Sequence, residues 1–139
     1  MTDILQRKEA LLQSLKSISN KDERLRHIVD EGKAMPPLPE NLRLDPFLVK
    51  GCISKAWLVP QIIEDKIFFM ADSEAMIVKG VVALLLKVYN GSTAAEILNL
   101  STDFLGEAGV SEHLSMNRRN GLANILIMIQ HYAKSMQKA

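Results

Sequence analysis

The sequence predicts an α+β domain, a single unit over residues 1–139 in which several helices gather around a small antiparallel sheet of two to three strands. Three observations lead there. Apolar residues recur at helical spacing in four separate segments. Between the second and third of these lie two short runs rich in aromatic and β-branched residues, joined by a charged turn. The third is size: 139 residues with 47% hydrophobic and 24% charged content suit one core, in which folding removes roughly two thirds of the unfolded chain's surface from water.

The elements follow in chain order. Ile4, Leu11, Leu15 and Ile18, widened by Leu5 and Leu12, share one helical face, which predicts a helix from about Thr2 to Ser19. Asn20 breaks that pattern. Leu25, Ile28 and Val29 define a second helix over Lys21–Glu31, with Gly32 standing where helices often end in a left-handed residue. Ala34–Asn41 holds three prolines and reads as a stiff connector, since each proline lacks a donor and restrains its predecessor.

Cys52–Val59 and Ile67–Ala71 read as antiparallel strands around a Glu64-Asp65-Lys66 turn, and a third strand over Leu42–Val49 is a weaker expectation. Asp72 and Ser73 are expected to cap a nearly all-apolar helix, Ala75–Tyr89, that stops at Asn90-Gly91. Thr93 and Glu96 have the spacing of a capping box before a short helix. A last helix over Asn117–Met136 carries Leu122, Ile125, Leu126, Ile129 and Tyr132 on one side.

Composition narrows function. Seventeen basic against sixteen acidic residues leave a formal charge of +1, so neither nucleic acid nor an anionic membrane is an expected partner. The longest apolar run, Gly80–Leu86, is bounded by Lys79 and Lys87 and falls far short of the ~20 residues that span a bilayer. The first residues show no basic region followed by an apolar stretch, and a single cysteine suits a reducing compartment; a cytoplasmic protein is expected.

That cysteine, Cys52, stands in Val49-Lys50-Gly51-Cys52-Ile53-Ser54-Lys55-Ala56-Trp57 beside the only tryptophan. On residues alone two readings stay open: a free cysteine is commonly a small buried hydrophobe, whereas Gly51 permits a tight backbone that suits presentation of a thiol. Lys50 and Lys55 would favour its thiolate. A Cys-His enzyme acting on a small thioester, amide or peroxide is an alternative, with His113 as the base. A metal site is not expected, because His27, His113 and His131 are scattered and accompany one cysteine. Val78-Lys79-Gly80 lies inside an apolar helix, where Gly80 suits close packing better than phosphate binding.

Three blocks, VKGCISKAW, FMADSEAMIVKGVVALLLKVYNG and EHLSMNRRNGL, resemble in order and spacing the SufE family of sulfur-acceptor proteins, including its CsdE branch. The resemblance implies that Cys52 accepts sulfur from the persulfide of a pyridoxal-phosphate-dependent cysteine desulfurase, stimulating that enzyme, and passes it to an iron-sulfur cluster scaffold. It implies no cofactor of the protein's own. Gly51 would then be the hinge of a moving loop, and Arg118, in the third block, would stabilise the anionic persulfide. Trp57, if exposed, would anchor the partner, and the same apolar surface would suit a homodimer. Ile53 stands where relatives often carry glutamine, and Met116 where they often carry proline.

Overall fold

The computed structural model describes residues 3–51, 54–107, 109–110 and 114–137. Asp3 opens α1 (Ile4–Lys16) through a capping box with Gln6, and Ile4, Leu11, Leu12 and Leu15 face the core. Leu5, expected on that face, points to solvent. Arg7 reaches across to the Val88 carbonyl and the Ser92 hydroxyl, tying α1 to the end of the central helix.

Asn20 caps α2 (Lys21–Ala34) by accepting from the N–H groups of Asp22 and Glu23. Gly32 does not end this helix. It lies at the crossing with α3 (Met76–Tyr89), where an added Cβ would stand 2.7 Å from the Gly80 nitrogen, and a Cβ on Gly80 would overlap the Ile28 carbonyl. Two glycines therefore let the helix backbones touch, the packing role expected of Gly80. α2 stops at Ala34 because Met35, just ahead of Pro36, is held in extended conformation.

β1 (Ala56–Ile63) and β2 (Lys66–Ser73) pair antiparallel from Ala56↔Ser73 to Ile63↔Lys66, turning through Glu64 and Asp65, both at positive φ. The first strand sits four residues later than expected. Its start yields to the loop that precedes it. Pro60 does not stop it, because Pro60 faces Phe69 in a pair that exchanges no ladder bonds. In place of a third strand, Leu42–Val49 forms parts of two 3₁₀ turns, Glu40–Leu42 and Asp45–Phe47, and among the described residues makes a single β-bridge to the sheet, Leu48↔Trp57. Pro46, which lacks a donor, disfavours a ladder there.

α3 is buried along almost its whole length and forms the centre of the core. Tyr89, near its end, packs its ring 6.1 Å from that of Phe104, and burial pushes its hydroxyl up to about 12. α4 (Ala94–Asn99) starts at the predicted Thr93–Glu96 capping box, whose backbone bond from Thr93 holds the Glu96 carboxyl below its ordinary range. α5 (Phe104–Glu107) and α6 (Met116–Gln137) complete an α+β domain with one two-stranded sheet among the described residues.

Asp72 and Ser73 are the last residues of β2, not the cap of α3, whose N-cap is Ala75 without a side-chain bond. Strand pairing continues through both positions and turns the Asp72 carboxylate inward. There it accepts from the Leu38 and Ser73 N–H groups at 2.9 and 2.8 Å and pairs with Arg43 at 2.5 Å and Lys79 at 3.3 Å. Burial alone would raise its pKa; the Leu38 and Ser73 donors and Lys79 outweigh that and hold the carboxyl below its ordinary value. Arg43 also donates to the Leu38 carbonyl and lies 5.0 Å from the centre of the Trp57 ring.

Candidate functional site

Cys52 and Ile53 lie outside the described residues, as does His113. What the structure places is the frame on which position 52 is carried. Val49 N–H donates to the Ala56 carbonyl at 2.8 Å and Leu48 bridges Trp57, so the chain leaves and rejoins the sheet at one point. Between those ties the described residues are Lys50, Gly51, Ser54 and Lys55.

The two arms of the loop are held differently. On the leading arm, Gly51 adopts φ +82°, and a Cβ there would overlap the side-chain amide of Asn124 in the middle of α6. Only glycine meets both the backbone sign and the space. On the returning arm, the Lys55 carbonyl accepts from the Glu74 N–H at 2.9 Å and the Ser73 hydroxyl at 3.1 Å, while Lys55 N–H donates to the Glu74 carboxylate at 3.3 Å. Ser73 therefore clamps the loop, and its hydroxyl also accepts from Ala75 N–H at 3.2 Å.

Charge around the frame is of one sign on the loop itself. Lys50 and Lys55 are exposed, and neither joins an ion pair among the described residues. Lys50 borders a groove of about 520 Å³ with Leu48, Asn124, Ile127, Met128 and Tyr132. Ile127, 62% exposed, is its solvent-facing apolar residue. Burial raises the Tyr132 hydroxyl at the same groove.

Arg118 lies in the first turn of α6. It borders a narrow niche with Val78, Val81, Leu122 and Ile125, its backbone N–H donating to the Ser115 hydroxyl at 3.3 Å at the start of α6. Trp57 is buried at 8% exposure in a small cluster with Leu38 and Val59, capped by Arg43, so its ring is no free anchor for a partner. Met116, at the position noted as departing from proline, opens α6 and is 70% exposed.

Asn124 and Glu74 are not legible as site residues in the sequence. The one signal for Asn124 is an amide, poor in helix propensity, amid the apolar residues of the last helix. Glu74 lies one residue beyond the Asp72-Ser73 pair. Among the described residues no group of three His, Cys, Asp or Glu side chains could hold a metal ion, and no helix is long and apolar enough to cross a membrane.

Fold and frame together define a small α+β protein in which the chain on either side of position 52 is fixed, at Gly51 against α6 and at Lys55 beside the end of β2. The family model for SufE, the Fe-S metabolism associated domain, matches residues 9–133, and the chain belongs to that family. It is 36% identical over 118 residues to an uncharacterized SufE-like protein of Rhizobium meliloti, covering 81% of this chain and 84% of that one. It is 33% identical over 130 residues to SufE-like protein 1, chloroplastic/mitochondrial, of Arabidopsis thaliana, covering 93% of this chain and 35% of the plant protein. A solution structure of a hypothetical protein from Thermus thermophilus superposes with a TM-score of 0.81 at 20% identity, covering 96% of this chain and 97% of that one. That likeness is one of fold.

Proposed function

We propose that this protein is a sulfur carrier in iron-sulfur metabolism, accepting sulfur on Cys52 from the persulfide of a cysteine desulfurase. The observation that carries the reading is the frame around position 52: the flanking chain is tied at its base and holds a left-handed glycine and two exposed lysines that join no ion pair among the described residues.

The chemistry needs little else from this chain. The Cys52 thiolate attacks the terminal sulfur of the partner's persulfide; a new sulfur-sulfur bond forms on Cys52, and the partner's cysteine leaves as thiolate. No net oxidation occurs. Lys50 and Lys55 favour the thiolate before transfer and the anionic persulfide after it. A second thiol nearby would attack the persulfide, expel sulfide and close a disulfide, so a one-cysteine chain protects its cargo from intramolecular loss.

The partner meets the loop and the apolar residues beside it, since sulfur passing between thiols must be kept from water and stray reductants. The groove beside Lys50, with exposed Ile127, is the adjoining surface. The desulfurase supplies the pyridoxal-phosphate chemistry, an iron-sulfur scaffold receives the sulfur, and the protein works in a reducing compartment. The test is desulfurase turnover on L-cysteine with native protein and with Cys52→Ser. The native chain stimulates turnover and the serine variant does not; equal stimulation by both would remove Cys52 from the mechanism.

A further inference from the structure

The outer edge of β2 is covered residue by residue until Ala71. Ile67 N–H donates to the Ser92 carbonyl at 2.8 Å, and the Ile67 carbonyl accepts from Gly91 N–H at 2.9 Å. Phe69 is covered by the side-chain amide of Asn90, which accepts from its N–H at 2.8 Å and donates to its carbonyl at 3.3 Å. Outward-facing residues alternate along an antiparallel strand. The register runs unbroken, so Ala71, opposite Leu58, turns its N–H and C=O to that same side. Neither group has a hydrogen-bond partner among the described residues.

They face a groove of about 680 Å³ between β2, α3 and the proline connector, walled by Met35, Pro37, Phe69, Ala83 and Leu86. A Glu31–Lys87 ion pair of 2.7 Å stands at its rim. Native proteins cover or blunt their strand edges, and here Ser92 and Asn90 do so at two positions but leave the third. An unpaired amide against apolar walls is costly. A peptide backbone offers the matching donor and acceptor in one residue, and its alternate side chains fill an apolar groove.

We propose that an extended segment of a partner protein pairs with β2 here through a single β-bridge at Ala71. One of its residues bonds both backbone groups of Ala71, and its apolar side chains at alternate positions enter the groove. The inference stands on the strand edge and does not rest on the sulfur-carrier reading.

The test uses the full chain labelled with ¹⁵N and a fluorescent peptide of alternating valine and threonine with lysine at each end. In the free protein the Ala71 amide exchanges with solvent faster than those of Met70 and Asp72, which face β1. Peptide binds saturably, slows Ala71 exchange at least ~10-fold, and loses ~10-fold or more in affinity when its central valine is N-methylated. Ala71→Pro, compatible with an outward-facing edge position, weakens binding to the same degree. Protection of Ala71 equal to its neighbours in the free protein overturns the proposal, as does absence of saturable binding. Indifference of binding to N-methylation does the same without relying on any variant to fold. A dimer that Ala71→Pro dissolves would assign the edge to a second copy and equally overturn it.

Discussion

The surroundings of Asp72, which pairs across the sheet with Trp57, and the loop that leads into the same strand both gather charge, yet they use it oppositely. Around Asp72 every charge is answered: the buried carboxylate meets Arg43, Lys79 and two backbone donors, and Arg43 is spread over a carbonyl and the Trp57 ring. On the loop, Lys50 and Lys55 face solvent without an ion-pair partner among the described residues, and the backbone is held by a glycine contact and three bonds to Ser73 and Glu74. Satisfied charge locks the connector, sheet and central helix together. On the proposed function, the two loop lysines serve an anion that comes and goes.

The contrast can be broken most severely at Asp72. Asp72→Ala strands Arg43 and Lys79 in a partly buried site and should cost about 3 kcal/mol or more, read as a lower denaturant midpoint. Sulfur acceptance per folded molecule should survive. Overpacking the α2–α3 crossing with Gly80→Ala should cost about 1–3 kcal/mol, again without a specific effect on the loop.

Gly51→Ala sharpens the comparison from the other side. A left-handed φ costs a residue with a Cβ about 1–2 kcal/mol, and the new methyl also displaces Asn124. Stability should fall modestly while sulfur acceptance falls more. The double variant Gly51→Ala with Asn124→Ala should recover only the steric part, measurable by comparing both variants' acceptance rates.

The pH dependence has a definite sign. The folded Asp72 carboxyl titrates below its ordinary value, so its contribution to stability is complete above the unfolded value of about 4 and is lost as pH falls further. Native protein should lose stability below about pH 4, and Asp72→Asn should show a shallower slope in denaturant melts across that window. The smallest effect is expected at Lys50: Lys50→Gln should slow sulfur acceptance about 3-fold and reduce its sensitivity to salt.

How far these regions can be read in the sequence differs for a physical reason. Helical periodicity, the Thr93–Glu96 capping box, the Glu64-Asp65 turn and the packing role of Gly80 depend on local pattern, and each stands near its expected place. Asp72 reads as a cap because Asp-Ser before an apolar run is the local signature of one. Its partners Leu38 and Arg43 lie some thirty residues away, brought there by a connector with no periodicity. Gly51 meeting Asn124 is a contact over more than seventy residues, invisible to any local rule. Whether Trp57 is exposed cannot be read locally, and the same distant connector is what covers it.

The central claim is that Cys52 carries sulfur, and intact-mass analysis tests it most directly. The native protein and Cys52→Ser are each incubated with a cysteine desulfurase and L-cysteine without reductant. A gain of one sulfur on the native chain alone, removed by reductant, is the expected result. No gain on the native chain with desulfurases of several branches, or the same gain on the serine variant, would contradict it.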